Sequence, residues 1–472
     1  MANESLARST AWLAGLIGLA ALGCADEAVP ASASEGETAG ETGDTGESEP
    51  EPVARIESAF ASVCGFHTDG EVTCWGWLGD AIGDDELASA GRLAAPTLPF
   101  TQVATLGGTS CGLHAGSVYC WGMDYGTGLL GYGLGEESVS REAALARGGV
   151  AIGASVVTVV GSDDGSDVIA PRFCALTELG EVYCWGLGGP SLGYPGLGSI
   201  GFEQSPVEVG PVPIGNAAVA VYAGPLGTCA LLDDGTLRCW GGSTLSGYDE
   251  GFGLDPAEIP PIDLGAPIQS VTVGVGHACA LVGPAGEGQV RCWGRGHSGE
   301  LGHPGQTQVP PGPMLEPVEL GGVAVEVVAG DHTTCARLAD GAVVCWGSGR
   351  DGESGHPHPT TCTGEWGSFD CAADPACCIG DDETPASVGP VALPGPAEDL
   401  AGGLHGFCAL AGTGSVTCWG SGFLGVIGDG VTPSCFGPVG DEPEYYDCGA
   451  DPLCCVGDDE TPLAAARPVV FD

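Results

Sequence analysis

Cysteines, histidines and clustered carboxylates are the side chains here whose spacing could do chemistry. Two stretches each gather four cysteines: Cys362, Cys371, Cys377 and Cys378 in one, Cys435, Cys448, Cys454 and Cys455 in the other. Four thiolates could hold zinc, but neither set has the paired Cys-x2-Cys knuckles usual in structural zinc sites. In an oxidising compartment two disulfides per set are the better reading. Adjacent cysteines rarely bond each other, which leaves two pairings open in each set. Both sets run into Gly-Asp-Asp-Glu-Thr-Pro, placing Asp381, Asp382 and Glu383 in the first copy and Asp458, Asp459 and Glu460 in the second. These triplets could offer oxygens to calcium. Neither lies in an Asp-x-[Asp/Asn]-x-[Asp/Asn]-Gly loop, so they read as solvated carboxylates and no metal is assigned to them.

Three of the nine histidines, His277, His332 and His405, stand just before a Cys-containing hairpin. Separated by whole repeats, they read as hydrogen-bonding residues at strand ends. Gly-x-Ser-x-Gly occurs around Ser110 and Ser191, and Gly294 to Gly299 matches a dinucleotide fingerprint. Neither serine sits at a strand-to-helix elbow, and no βαβ unit follows Gly299. In a chain with 85 glycines such matches arise by chance. No catalytic, cofactor-binding or metal-binding residue is assigned.

Composition narrows the field further. The 12 basic residues are all arginine, against 62 acids, for a formal charge of −50. Affinity for nucleic acid comes mainly from neutralised phosphate, so nucleic acid is excluded as a partner. The absence of lysine removes Schiff-base and P-loop chemistry. With Gly 85 and Pro 35 of 472, helical bundles are excluded, yet 43% of residues are hydrophobic. That combination points to an all-β repeat protein.

The elements that must position these groups follow from a repeat. Cys-Trp-Gly occurs seven times, with tryptophans at 75, 121, 185, 240, 293, 346 and 419. A period of this length marks a propeller, solenoid or array. Each copy has a partner cysteine upstream: Cys64 with Cys74, Cys111 with Cys120, Cys174 with Cys184, Cys229 with Cys239, Cys279 with Cys292, Cys335 with Cys345 and Cys408 with Cys418. Directly opposed cysteines in the first pair require the three-residue loop Thr68-Asp69-Gly70, with glycine at its left-handed third place. The same arithmetic gives Gly180, Gly235, Gly341 and Gly414, and a two-residue loop at Ala115-Gly116. The loop between Cys279 and Cys292 is longer and has no clean solution. The other six cysteine pairs lie three steps above the turn-closing pair, at non-hydrogen-bonded positions with Cα atoms about 4.5 Å apart, within disulfide reach. One cross-strand disulfide per hairpin is expected. Repeat six shows the unit as four segments: Pro317–Leu320, Val323–Ala329, Cys335–Leu338 and Ala342–Cys345. Four strands make a propeller blade. The tryptophans, each following a cysteine in a strand, read as packing between blades.

Residues His277–Leu281, Val290–Gly296 and Gly299–His303 resemble the repeat of the regulator of chromosome condensation (RCC1) family. The resemblance covers about Val53 to the end. It implies a seven-bladed β-propeller and a protein-binding habit, on a fold that also includes a secreted bacterial β-lactamase inhibitor. A cysteine pair in every hairpin, acidity and export set this chain apart from the family's nuclear guanine-nucleotide exchange and chromatin binding. The C-terminal Pro468–Phe471 has the character of a strand that opens a blade and is expected to complete blade one.

The N-terminus reads as an address. Arg8 precedes an apolar run from Ala11 to Leu22 that ends in Gly23-Cys24. Twelve residues suit a signal peptide and are too few to span a bilayer. The ending resembles a bacterial lipobox, with Cys24 as the lipidated residue, and leaves an even 22 of the 23 cysteines for disulfides. Residues 1–23 are thus expected to be a lipoprotein-type signal peptide, and 24–52 an acidic disordered tether with nine carboxylates and no base. Residues 53–472 form the propeller, with cysteine-rich insertions at 361–379 and 434–456. The whole is read as a monomeric, exported binding scaffold for a protein partner, meeting the membrane only through its lipid, at the cell envelope or secreted. A loop-face enzyme or enzyme inhibitor is the alternative.

Overall fold

A computed structural model describes residues 52–472 apart from 60–61, 77–90, 93–98, 107, 163–170, 226, 248–253, 351, 358–376, 404–405, 422–454, 457–461, 463–468 and 470–472. The expected signal peptide, Cys24 and the tether lie outside the described residues except for Pro52. So do His405, Cys362, Cys371, Cys435, Cys448, Cys454 and the triplet at 458–460.

The chain from Val53 forms seven antiparallel sheets of three or four strands, the blades of an all-β propeller. Blade six is typical. Its inner strand Ala324–Ala329 pairs with Thr333–Leu338, which pairs with Val343–Ser348, which pairs with the short outer strand Cys378–Ile379. Each inner strand packs against that of the next blade, and Ala397–Gly402 of blade seven packs against Val53–Ala59 of blade one, closing the ring. In six of the seven blades the inner strand carries a β-bulge near its start, at Ala54, Val157, Val219, Gln269, Val325 and Glu398.

The hairpin register follows from the turns. Gly70, Gly180, Gly235, Gly341 and Gly414 all have positive φ, between 78° and 88°. In blade two Ala115 and Gly116 are both left-handed, at φ 48° and 79°, as a two-residue hairpin turn requires. Blade five turns through Gly283–Gly288, so Val282 faces Gln289 and Cys279 still faces Cys292. Each hairpin holds one disulfide. Cys64 is joined to Cys74 in blade one, Cys111 to Cys120 in blade two, and Cys174 to Cys184 in blade three. Cys229 is joined to Cys239 in blade four, and Cys279 to Cys292 in blade five. Cys335 is joined to Cys345 in blade six, and Cys408 to Cys418 in blade seven. In every case the Cα atoms are 4.0–4.1 Å apart, somewhat closer than the 4.5 Å spacing expected of an unlinked pair. The seven tryptophans that follow Cys74, Cys120, Cys184, Cys239, Cys292, Cys345 and Cys418 are fully buried. Phe100, Phe173 and Phe407 stack on Trp121, Trp185 and Trp419 with centroids 5.4–6.0 Å apart.

Two expectations about the blade's limits need correction. The Pro-Val-containing segment does not open its own blade. Val318 donates its N–H to Val290 in the third strand of blade five, and Val150, Val212 and Val391 repeat this bond to blades two, three and six. The tail obeys the same rule: Val469 donates to Val416 of blade seven. Val469 is buried in a core shared with Val53 and Trp75 of blade one, so this residue of the tail bridges blades seven and one. The physical reason is that the outer strand is only two residues long and leaves carbonyls of the third strand free, which the returning segment takes. The insertions are also shorter than expected at their ends. Ile379 pairs with Gly347, Val456 with Gly420 and Cys455 with Ser421. The last residues of 361–379 and 434–456 are therefore the outer strands of blades six and seven.

Candidate functional site

Alternating strand direction puts the hairpin turns on one face of the propeller. The inner-strand loops and the excursions after Trp-Gly lie on the other. Both cysteine-rich insertions therefore leave from the second face. There the described side chains converge at the seam between blades five and six.

Blade five's excursion, after Gln289–Arg295, carries Glu300. Its backbone carbonyl accepts the indole N–H of Trp346, from the next blade, at 2.8 Å. Trp185, Trp240, Trp293 and Trp419 make the same bond to Leu129, Ser191, Leu245 and Glu353 of their preceding blades, at 2.9–3.0 Å. The tryptophans thus latch one blade to another. At blade five this latch also fixes a carboxylate. Glu300 is buried; it accepts from the Ser298 N–H at 2.6 Å, and its other oxygen lies 3.1 Å from His332 Nδ1 of blade six. The second ring nitrogen of His332 is 3.5 Å from Asp331. Burial works against the charge on His332, but the Glu300 hydrogen bond and the charges of Asp331, Glu300 and Glu353 outweigh it and raise its pKa to about 9. Burial also works against charge on Glu300, and the His332 bond and charge overcome it and lower its pKa.

His277 contrasts with His332. It is fully buried, contacts Thr334 Oγ1 of blade six at 2.7 Å, and burial pulls its pKa down to about 4. Its Nδ1 has no hydrogen-bond partner among the described residues. His277 is the second residue before its cysteine and His332 the third, which puts one in a strand and the other in the loop before it. Arg172 is likewise buried and donates across a seam, to Thr228 and the Gly224 carbonyl at 2.9 and 2.8 Å.

The first insertion returns beside this site. Gly305 donates its N–H to the Asp381 carbonyl at 2.7 Å, and a Cβ on Gly299 would lie 2.4 Å from the Ile379 oxygen. Cys377 and Cys378 are buried and disulfide-bonded, with partners outside the described residues, so neither is a thiolate. Asp381, Asp382 and Glu383 converge, with ligand oxygens within 4.8 Å of one another. Partial burial, a side-chain bond with Asp382 and neighbouring negative charge raise Glu383 to about 7. Ser110 is buried in a strand and Ser191 in a tight turn whose carbonyl holds Trp240, so neither is a nucleophile elbow.

Sequence reasoning missed Glu300 and Glu353 as site residues. The available signal was a glutamate inside Gly-x-x-Gly seven residues after tryptophan, in two successive blades.

Two stretches, residues 218–246 and 324–353, match the regulator of chromosome condensation (RCC1) repeat. They begin at the inner strands of blades four and six and run past the Cys-Trp-Gly of each. The human E3 ubiquitin-protein ligase HERC2 is 30% identical over 206 residues, 43% of this chain and 4% of that protein. The mitochondrial RCC1 domain-containing protein RUG3 of Arabidopsis thaliana is 29% identical over 255 residues, 52% of each chain. The chain thus spans about half or less of these relatives' lengths. Among solved structures, yeast RCC1 (Prp20) bound to Kap60 superposes with TM-score 0.58 at 17% identity, covering 92% of this chain and 91% of that one. The chain carries RCC1 repeats on an RCC1-like β-propeller.

Proposed function

We propose that this RCC1-like propeller is a non-enzymatic binding scaffold, exported to the bacterial envelope or secreted, and held there by lipid on Cys24. Its recognition surface is the face of the excursions, centred on the seam of blades five and six. Yeast RCC1 (Prp20), which shares this fold, was solved bound to Kap60, and this supports a protein partner here. The observation that carries the reading is the state of His332. A general base at neutral pH needs a neutral imidazole with a free nitrogen. His332 is instead held as a cation, with carboxylates opposite both nitrogens, while remaining half-exposed. That arrangement suits recognition better than proton abstraction. A charge of −50 favours a cationic protein partner and a salt-sensitive association. Export is supported by Arg8, the apolar run and the paired cysteines, since disulfides persist in oxidising compartments.

The test is cross-linked capture from intact envelopes, comparing the natural chain with an Asp331→Ala/His332→Ala variant. A basic protein should be recovered with the natural chain, on the order of tenfold less with the variant, and less as salt rises. Equal recovery by a folded variant would move the site to another face. Hydrolytic turnover lost in the variant would favour the enzyme reading.

A further inference from the structure

The excursions of blades two and three lie on the same face as His332 and carry a strained turn. Among the described residues, Ala115 and Tyr125 are the only non-glycines with positive φ. Ala115 is required there by its two-residue hairpin. Tyr125, at φ 50°, and Gly126, at 78°, form the centre of a turn that Thr127 closes by donating its N–H to the Asp124 carbonyl at 3.0 Å. Asparagine, aspartate or glycine is usual at the first central place of such a turn, and a bulky side chain is an outlier. The turn is held from below. The buried Asp124 carboxylate accepts from Thr127 Oγ1 at 2.8 Å, Gly128 N at 2.5 Å and Leu130 N at 3.1 Å. The Leu129 carbonyl takes the Trp185 indole N–H. Tyr125 itself is 73% exposed, so packing does not account for a tyrosine at this place.

Two other exposed apolar side chains stand near it, Leu134 at 65% and Leu197 at 47% exposure. Asp124 donates its N–H to the Glu137 carbonyl at 2.8 Å, which sets Tyr125 against the strip that contains Leu134. Gly133 and Gly135, on either side of Leu134, donate to the Gly201 and Phe202 carbonyls of blade three at 2.8 and 2.6 Å. Leu197 is four residues before Gly201, so chain length alone keeps it within about 14 Å of that bond. The rim of this patch is acidic. Glu136, Glu137 and Glu203 are all exposed, and Arg147 is paired with Glu136. Glu137 and Glu203 form no ion pair among the described residues.

We propose that Tyr125, Leu134 and Leu197 make a second contact on the excursion face, for a basic protein segment. A large apolar side chain of that segment packs on the leucines, while a neighbouring lysine or arginine lies over the Tyr125 ring and faces Glu137. The inference rests on the reading of the chain as a scaffold for a cationic protein, and adds where and how such a partner is gripped. A cation above an aromatic face with a carboxylate beside it is attracted by both. The same rim disfavours other occupants. A second copy of this chain would bring like charges against Glu137 and Glu203, and an anionic bilayer would be repelled by them. A tyrosine held in the left-handed region with its ring in solvent marks a side chain kept for display, at a place where glycine would be unstrained.

The test is fluorescence anisotropy of a labelled octapeptide alternating lysine and leucine, titrated with the full chain, Tyr125→Gly, Leu134→Ser and Asp331→Ala/His332→Ala. The natural chain should bind it, more weakly as salt rises. Kd should rise on the order of tenfold in Tyr125→Gly and in Leu134→Ser. Tyr125→Gly should keep the denaturant midpoint of the natural chain, because glycine adopts this turn freely. A tenfold loss in Tyr125→Gly supports the inference whatever the Asp331→Ala/His332→Ala chain does. An unchanged Kd in Tyr125→Gly overturns it, and if binding is then lost in Asp331→Ala/His332→Ala the scaffold reading stands without it. No peptide binding by the natural chain overturns both the cationic partner and this contact. Vesicle binding or self-association of the natural chain that disappears in Tyr125→Gly would overturn it too, by giving the patch to lipid or to a second copy.

Discussion

The two seams of blade six handle charge in opposite ways. Against blade five, His332 meets Glu300 as cation and carboxylate. Against blade seven, burial and the neighbouring negative charge of Asp399 raise Glu326 to about 7. Both seams share the same indole latch, Trp346 to Glu300 and Trp419 to Glu353. The repeat therefore supplies a common fastening, and individual blades add polar contacts of their own. The first seam is complete while His332 holds its proton, and the second carries least repulsion while Glu326 holds one. The same rise in pH reaches them in different windows.

The sharpest way to break this comparison is to remove what the seams have in common. Trp346→Ala and Trp419→Ala each delete a fully buried indole and its hydrogen bond. Loss of packing at such sites costs about 3–5 kcal/mol. Denaturant midpoints should fall by similar amounts in the two variants. A Trp346 effect much smaller than that of Trp419 would mean that Glu300 and His332 hold their seam without the latch.

A second test separates blade from seam. Cys335→Ser/Cys345→Ser opens the disulfide between the two middle strands of blade six without replacing a residue of either charged contact. Closing a loop of this length is worth about 2–3 kcal/mol by chain entropy. Unfolding midpoints should drop accordingly while the pH profile keeps its shape. A changed profile would show that the hairpin sets the geometry of the seams.

What could be read in the sequence divides along the same line. The hairpins are legible because their constraint is local: the turn glycine, the two-step alternation and the cysteine spacing all fix one register. Cys64 opposite Cys74 and Cys408 opposite Cys418 need nothing beyond the ten residues between them. The same holds for the buried tryptophans. The partner of the tail is less legible: Val469 donates to Val416 of blade seven while packing against Val53 of blade one, a choice that depends on which third strand has an open carbonyl. Glu326 and Asp399 are inconspicuous for a related reason. They sit in apolar strands 73 residues apart, and only ring geometry brings them together. His332 stands out in the sequence, but nothing local marks Glu300, 32 residues earlier, as its partner.

The smallest expected effect is the one that most cleanly resolves the two seams. His332 has a folded pKa of about 9, against 6.5 for the unfolded group. A histidine raised in this way contributes stability that is complete below about 6.5 and lost as pH climbs through about 9. The full shift overstates the energy, because the side chain is 46% exposed and solvent screens its pairs. A loss of about 1 kcal/mol between roughly pH 6.5 and 9 is expected from the screened pair. The loss linked to Glu326 runs from about 4.5 to about 7, mostly below this window, so the His332 phase should persist in Glu326→Gln and vanish in His332→Gln. Unfolding midpoints taken at closely spaced pH values would distinguish the two phases. If His332→Gln left the upper phase intact, the imidazolium would not be what fastens blade five to blade six. The latch at Trp346 would then carry that seam alone.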